Sequence, residues 1–293
     1  MAGVRLTGSV ALVTGASSGI GRSLARELAA RGATVAITAR REHLLEELAG
    51  EIEASGARRP GVFVADLSER GAAASLAERV AAELGPVDVL VNNAGVSVHG
   101  LQCALGDRDE AREMFETDFW SPLALVSALA PSMRARGGGA VLNVTSMIQV
   151  SPFPQLGHTC AVKAALGITT QVLRIELDGS GVNVIEAILG AIDTPGSAET
   201  RLLRGGDKWL DGSGLGDADE AARAMVRAIE RGQETVIYPR KLAAVYSLPG
   251  LGRRFSRRFS RVVDADDDTV RLGGSSGDPE NRAKRESWEA SRR

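Results

Sequence analysis

The sequence predicts an α/β fold in which one doubly wound parallel sheet of about seven strands carries helices on both faces. Short apolar segments rich in branched residues alternate along the chain with longer segments whose apolar residues recur at helical spacing. The 293 residues are also 44% hydrophobic, which is enough for one sizeable core. We therefore expect a single domain over residues 1–240.

The alternation begins near the N-terminus. Val10–Thr14 is short, apolar and branched, as expected of a buried strand. A glycine-rich turn follows, and Ile20, Leu24 and Leu28 then repeat at helical spacing as far as Gly32, a typical helix stop. This stretch is predicted to be a strand, a tight turn and a crossover helix.

The same pattern continues to Tyr238. Ser68 is placed to cap a helix, and Pro122 and Pro131 predict a kink or a break in the longest helix. The further predicted strands are Thr34–Ala39, Gly61–Ala65, Val87–Val91, Ala140–Thr145, Val182–Ile188 and Thr235–Tyr238. The further predicted helices are Arg41–Ser55, Ser68–Leu84, Asp107–Arg136, Gly157–Leu177 and Asp217–Arg231.

Three segments depart from this pattern. Residues 196–216 are punctuated by glycine without a clean period, and we expect them to form a substrate lid. Residues 241–263 form a basic, amphipathic extension, and its Arg-rich piece Arg253–Arg261 would touch an anionic membrane surface, cover a pocket or remain solvated. Residues 264–293 are polar and rich in charge, and we expect a disordered tail.

Composition narrows the class of partner. A net charge of −2 lacks the basic field of a nucleic-acid binder, so a small-molecule partner is expected. Cys103 and Cys160 belong to no CxxC pair, which argues against a disulfide framework and a metal site. No signal-peptide pattern and no apolar run of about 18 residues occurs, so a cytoplasmic protein is expected.

The turn after the first strand is suited to phosphate. It reads TGASSGIG, and its glycines allow a tight turn and a close approach of the backbone to a pyrophosphate. The N–H groups that open the next helix would then hold that anion. The residues expected at this site are Gly15, Ser17, Ser18, Gly19, Ile20 and Gly21.

Four motifs taken together resemble the short-chain dehydrogenase/reductase family. They are TGASSGIG, Asp66 after the third strand, NNAG from Asn92 to Gly95, and Ser146 with Lys163 after the fifth strand. The resemblance extends from residue 6 to about residue 240. It implies a single Rossmann-type domain that binds NAD or NADP, a substrate pocket at the carboxyl ends of the strands, and assembly into a homodimer or homotetramer.

The resemblance also assigns the cofactor contacts. Where the family places an NAD-selecting carboxylate after the second strand, this chain has Ala39-Arg40-Arg41. A guanidinium can clamp a 2′-phosphate, so we expect Arg40 to select NADP. The other expected contacts are Asp66, Leu67, Asn92, Ala94, Gly95, Lys163, Gly190, Ile192 and Thr194.

The implied catalytic set is incomplete. The family uses an Asn, a Ser, a Tyr and a Lys, with the Tyr phenol moving the proton. Ser146 and Lys163 match, but the Tyr position, four residues before Lys163, holds Thr159, and the Asn position holds Asp118. Asp118 and Lys163 are expected to pair, which would hold the lysine on the ribose.

Nothing in the sequence clearly replaces the phenol. The Thr159 hydroxyl is far too weak an acid. His158 has a suitable pKa range but points about 100° away from Thr159 on a helix, and His99 lies in a loop that borders the nicotinamide in the family. Both histidines stay open as candidates.

Three functions follow from this pattern. The first is an NADP-dependent oxidoreductase that acts on a small-molecule carbonyl, alcohol or imine with an altered proton-transfer site. The second is a non-redox enzyme, such as a cyclase or isomerase, that reuses the pocket, and the third is an inactive NADP-binding protein. Apolar residues for an oligomer contact, or simply for covering the sheet, are Leu123, Leu125, Val126, Leu129, Leu166, Ile168 and Val172.

Overall fold

The computed structural model describes residues 3–201, 206, 210–211, 214–256 and 271–273. The strands in chain order are β1 (Val10–Thr14), β2 (Thr34–Ala39), β3 (Gly61–Val64), β4 (Val89–Asn92), β5 (Ser97–His99), β6 (Gly139–Ser146), β7 (Val182–Leu189), β8 (Thr235–Tyr238) and β9 (Arg271–Gly273). Seven strands form one parallel sheet in the order β3-β2-β1-β4-β6-β7-β8, and β5 pairs antiparallel with β9. The predicted doubly wound sheet is confirmed.

Helices cover both faces of this sheet. They are α1 (Gly19–Ala30), α2 (Glu42–Ala54), α3 (Ala72–Leu84), α4 (Gln102–Leu105), α5 (Asp109–Phe115), α6 (Ser121–Ala135), α7 (Gly157–Glu176), α8 (Pro195–Arg201), α9 (Ala218–Arg231), α10 (Ala243–Ser247) and α11 (Pro249–Ser256). One core cluster joins the sheet to α1, α2 and α9, and a second joins it to α3 and α6. The chain leaves β1 toward β2 and later returns to place β4 on its other side, which opens a crevice at the carboxyl ends of β1 and β4.

Two predicted helix boundaries were wrong. Ser68 does not cap α3, which begins at Ala72, because the Ser68 N–H and hydroxyl both donate to Asp66 Oδ1 in a local turn. The predicted helix Asp107–Arg136 is interrupted by a π-helical turn at Glu116–Trp120 rather than at a proline. Pro122 lies in the first turn of α6, directly after this π-helical turn.

The segment after β8 packs back onto the domain. A 3-10 turn at Arg240–Leu242 leads into α10 and α11, and the Ser151 hydroxyl donates to Gly252 O at 3.4 Å. A Cβ placed at Gly190 would lie 2.4 Å from Leu242 Cδ1, so this segment touches the end of β7 closely. Of the piece 253–261, for which three roles were expected, residues 257–261 lie outside the described residues, so those alternatives stay open.

The expected lid begins with a helix, since α8 covers Pro195–Arg201. Most of the lid that follows, and most of the expected tail 264–293, lie outside the described residues. The apolar residues named for an oligomer contact divide into two groups. Leu125, Val126, Leu129 and Leu166 are buried, whereas Ile168 and Val172 are exposed. Among the helices that the structure describes, none is long and apolar enough to cross a membrane.

Candidate active site

Two adjoining clefts open at the carboxyl ends of the central strands. The first, of about 240 Å³, lies over the glycine turn after β1 and reaches the end of β3. The second, of about 710 Å³, lies over the ends of β6 and β7. Ile20, Gly95 and Thr194 line both, so the clefts are continuous.

The glycine turn is shaped for close backbone approach. Gly15 has φ +68°, and a Cβ there would lie 2.7 Å from Ala94 Cα. A Cβ at Gly21 would lie 2.3 Å from Gly15 O. Ser18 precedes α1 without capping it through its side chain, which leaves the first N–H groups of the helix open to an anion.

The first cleft carries two arginines where it passes the carboxyl ends of β2 and β3. Arg40 Nη1 lies 4.0 Å from Asp66 Oδ2, while Arg41 Nη2 donates to Ser17 Oγ at 2.7 Å and to Ser18 Oγ at 3.2 Å. Both arginines line the cleft. Sequence reasoning chose Arg40 and passed over Arg41, although the adjacent pair was the available signal.

Most residues expected to contact a cofactor line the clefts, and one does not. Asn92 is buried beneath them, and its Nδ2 donates to Asn143 Oδ1 at 2.8 Å, which ties β4 to β6. The expected residues that line the clefts are Gly15, Ser17, Ser18, Gly19, Ile20, Gly21, Arg40, Asp66, Leu67, Ala94, Gly95, Lys163, Gly190, Ile192 and Thr194.

Asp118 and Lys163 form a buried ion pair in the second cleft. Lys163 Nζ lies 3.1 Å from Asp118 Oδ2 and donates to Val144 O at 3.3 Å, while Val96 N–H donates to Asp118 Oδ1 at 2.8 Å. Asp118 is fully buried in the π-helical turn. Burial raises the pKa of its carboxyl, an effect that the Lys163 charge and the Val96 N–H oppose.

Gly95 makes room for this pair. A Cβ at Gly95 would lie 2.9 Å from Asp118 Oδ2 and 3.4 Å from Lys163 Nζ. The first contact is closer than real Cβ atoms come to an oxygen, so a side chain here would displace the carboxylate. The glycine of the NNAG motif thus lines both clefts and packs against this ion pair.

Ser146 and Thr159 line the same cleft but differ in what their hydroxyls can do. The Ser146 oxygen accepts from Ile148 N–H at 3.3 Å, which leaves its proton free to be donated. Thr159 is buried one turn before Lys163, and its hydroxyl donates to Met114 Sδ at 3.8 Å. The Thr159 hydroxyl is therefore directed at a thioether.

Neither candidate histidine lines the cleft. His158 is buried on the flank of α7, and its Nε2 lies 2.8 Å from Gly106 O. Consecutive helical residues point about 100° apart, so this ring points away from the Thr159 side chain. His99 is buried in β5 and is not among the lining residues. The structure therefore does not bring either ring to the place of the expected phenol.

No tyrosine takes that place either. The chain contains two tyrosines, and neither is a lining residue of the second cleft. The Tyr238 hydroxyl donates to Glu220 Oε2 at 2.6 Å, and Tyr246 lies in α10. The described part of the cleft thus offers hydroxyls, one carboxylate and two ammonium groups, Lys163 and Lys241, but no phenol and no imidazole.

Comparison with known proteins identifies the family. A short chain dehydrogenase of Pseudocercospora fijiensis is 40% identical over 199 residues, which are 68% of this chain and 62% of that relative, so less than two thirds of its length is matched. The short chain dehydrogenase family model matches residues 9–203. The chain belongs to the short-chain dehydrogenase family.

Other relatives of this short-chain dehydrogenase include oxidoreductases and solved structures. A fatty acyl-CoA reductase of Mycobacterium tuberculosis is 33% identical over 256 residues, covering 86% of this chain and 83% of the relative. A structure from Beutenbergia cavernae, assigned as an NAD(P) dependent gluconate 5-dehydrogenase and holding NADP, aligns with a TM-score of 0.72 at 28% identity, over 80% of this chain and 97% of that one. L-Sorbose reductase of Gluconobacter frateurii, complexed with NADPH and L-sorbose, aligns with a TM-score of 0.71 at 28% identity, over 79% of this chain and 94% of that one.

The first cleft of this short-chain dehydrogenase fits a dinucleotide on its own geometry. The turn keeps its tight shape only with glycine at Gly15 and Gly21, where a Cβ would collide with neighbouring backbone, and the N-terminus of α1 lacks a side-chain cap. Thr38 Oγ1 is buried at the cleft wall with no partner among the described residues. A buried hydroxyl of this kind favours a polar ligand beside it.

Proposed function

We propose that this short-chain dehydrogenase is an NADP-dependent oxidoreductase that acts on a small-molecule carbonyl, alcohol or imine without a tyrosine acid. One observation carries the proposal. A cleft that fits a dinucleotide opens directly into a second cleft that holds Ser146 and Lys163 but, among the residues described, no phenol. Binding and positioning of both reactants are therefore retained, and proton transfer is altered.

The choice of NADP rests on charge at the end of β2. Arg40 and Arg41 line the first cleft, and Arg41 is held against the phosphate turn by Ser17 and Ser18. Two guanidinium groups favour a 2′-phosphate over a free hydroxyl. The solved relatives that hold NADP or NADPH support the same choice.

Arg41→Gln is therefore expected to weaken NADPH binding by at least tenfold and to leave NADH binding within about twofold. Arg134→Gln is the matched control, since it removes the same charge from an exposed position of α6 that lines neither cleft. Titration of cofactor fluorescence measures both constants. Equal losses for NADPH and NADH in Arg41→Gln would contradict the role given to this guanidinium.

The second cleft can support hydride transfer with little acid catalysis. A nicotinamide dinucleotide bound in the first cleft would supply or accept the hydride. The Ser146 proton is available to a substrate oxygen, and Asp118 holds Lys163 as a fixed ammonium. Ser146 would donate a hydrogen bond and keep its proton, so the single proton that a carbonyl requires would come from water, and an iminium would require none.

This arrangement suits an electrophilic carbon that already carries positive charge. A hydride added to an iminium carbon gives a neutral amine directly, so the step needs no proton from the protein. A ketone needs both a hydride at carbon and a proton at oxygen, and loss of the acid slows it about 10²–10⁴-fold. Imines are therefore expected to react faster than ketones of the same shape.

Purified protein distinguishes this proposal from a second candidate. NADPH oxidation in step with reduction of a cyclic iminium probe supports the oxidoreductase. Product formation with an unchanged nicotinamide absorbance would support a non-redox cyclase or isomerase, which the absence of a phenol from the described cleft favours as the alternative. Tight NADPH binding with neither outcome would leave an inactive NADP-binding protein.

The remaining proposals concern the organisation of the chain. We propose that residues 1–240 are the dinucleotide-binding domain, that residues 196–216 are a substrate lid, and that 241–263 extend from it as a cover. The protein is proposed to be cytoplasmic and to assemble as a homodimer or homotetramer through α7, where Ile168 and Val172 are exposed.

A further inference from the structure

Lys241 gives the second cleft a positive charge that hydride transfer does not use. Among the described residues that line this cleft, only Asp118, Lys163 and Lys241 carry a charge. Asp118 and Lys163 neutralise each other at 3.1 Å. Within the described chain Lys241 forms no ion pair, so among the described residues of the cleft one ammonium group has no carboxylate partner.

Lys241 is an exposed residue at the cleft, and two glycines lie close to the turn that carries it. In the 3-10 turn Arg240–Leu242, Leu242 packs against Gly190, where a Cβ would lie 2.4 Å from Leu242 Cδ1. Lys241 Nζ lies over Gly214, where a Cβ would lie 2.7 Å from it. The Gly214 N–H donates to Leu210 O at 2.9 Å, so the glycine under the ammonium is joined to a buried leucine of the cleft wall.

The wall of the same cleft is largely apolar. Removing such a surface from water stabilises a bound apolar group by roughly 25 cal/mol per Å². An aliphatic or ring-shaped ligand body therefore matches the wall, and a cationic end would meet the Lys241 charge unfavourably. The apolar residues that carry this argument are Ile148, Leu156, Leu189, Leu210, Leu242 and Val245.

We propose that Lys241 selects substrates in which an apolar body carries an anionic group, either a carboxylate or a phosphate ester. The proposal rests on the proposed function only in taking the second cleft as the substrate site. Lys241 acts as a specificity residue, because it pairs with the anion and takes no part in hydride or proton transfer.

Binding of four amphiphiles with a common twelve-carbon chain tests the charge requirement. Dodecanoate, dodecyl phosphate, dodecanol and dodecyltrimethylammonium displace a fluorescent probe from the full-length protein, each at low and high salt. The wild-type protein is expected to bind the two anions about fivefold more tightly than dodecanol at low salt, and salt should reduce the difference. A preference for only one of the anions identifies which group Lys241 receives.

Lys241→Gln is expected to bind the anions and dodecanol equally, and Lys241→Arg to keep the preference. Arg240→Gln is the control, because it removes the same charge from the neighbouring residue, which is not among the lining residues of the cleft. Thermal melts by circular dichroism confirm that each variant folds.

Equal binding of anions and dodecanol by the wild-type protein would overturn the proposal. An undiminished preference in Lys241→Gln, or no binding of any of the four amphiphiles, would also overturn it. The assay involves no turnover, so failure of NADPH oxidation refutes the proposed function without changing this result.

Discussion

At the scale of single residues, the titration of Asp118 is governed by burial more than by its ammonium partner. The carboxyl is fully buried, and its pKa is raised above the ordinary value of 3.8 although Lys163 lies 3.1 Å away. A raised pKa in the folded state means that the protonated form is the better accommodated one. The contribution of Asp118 to stability is therefore complete below pH 3.8 and is lost as pH rises through its folded pKa.

The variant Asp118→Asn tests the direction in which the stability contribution of Asp118 changes with pH. The free energy of unfolding of the wild-type protein, measured relative to the variant in urea, is expected to fall as pH rises above the ordinary carboxyl value of 3.8. Asp219→Asn should give the opposite slope below about pH 5, because a hydrogen bond from Ser23 lowers the pKa of the Asp219 carboxyl. Parallel slopes for the two variants would show that burial does not control Asp118.

Thr159 offers a direct test of the missing acid. It lines the second cleft one helical turn before Lys163, so a phenol introduced there has the adjoining cleft of about 710 Å³ to enter. Thr159→Tyr is expected to reduce a ketone about 10²-fold faster than Thr159→Phe, which has the same ring but no acid. Steady-state rates at several pH values measure the difference, and equal rates in the two variants would mean that proton donation at this position does not limit the reaction.

At the scale of elements, α1 and α2 differ in how much space surrounds their glycines. In α1, Gly21 lets the helix approach the turn, since a Cβ there would lie 2.3 Å from Gly15 O and 2.6 Å from Asn93 Nδ2. In α2, a Cβ at Gly50 would have only Arg59 Nη1 near it, at 4.0 Å, so a methyl group fits there. Replacing glycine by alanine is therefore expected to change the free energy of unfolding in opposite directions in the two helices.

Gly21→Ala is expected to lower the free energy of unfolding by about 1–3 kcal/mol and to abolish cofactor binding, because the backbone of the turn must shift. Gly50→Ala is expected to raise it by about 0.5–1 kcal/mol through the lower entropy of the unfolded chain. Urea unfolding and NADPH titration measure both effects. A stabilised Gly21→Ala protein would refute the close approach described for the turn.

The sequence was sufficient for those features of the fold and the site that depend on the spacing of residues along the chain. The alternation of strands and helices predicted the parallel sheet, because a βα crossover has one permitted hand. Motif spacing also placed Ser146, Thr159 and Lys163 correctly on one cleft, since each follows a strand end or recurs on one helix face. The pairing of Asp118 with Lys163 was expected from the family resemblance, and the two side chains lie 3.1 Å apart.

Sequence spacing was insufficient where the direction of a side chain, or a contact between residues far apart in the chain, decides which residues lie at the clefts. Arg40 and Arg41 are adjacent, and only the folded turn shows that Arg41 reaches Ser17 and Ser18. Lys241 belongs to a segment expected to lie beyond the domain, yet the contact between Leu242 and Gly190 brings it to the cleft. Such contacts join residues about 50 positions apart, for which no local pattern exists.

At the scale of the whole molecule, α7 presents an apolar stripe to solvent. Ile168, Val172 and Ile175 are 62%, 45% and 77% exposed, and their spacing places them on one helix face. The opposite face of α7 carries Val162 and Leu166, which are buried. A helix with apolar residues on both faces is expected to bury the outer one against another subunit.

Ile168→Glu combined with Ile175→Glu is therefore expected to convert the proposed oligomer into a monomer, because two carboxylates would lose their hydration in the contact. Ala74→Glu combined with Ala81→Glu is the control, since it adds the same two charges at the same spacing to exposed positions of α3. Light scattering after size-exclusion chromatography gives the mass of each form. An unchanged mass for the α7 double variant, or a monomeric wild-type protein, would show that the stripe is not the subunit contact, and the fold of each variant is checked by NADPH binding at the first cleft.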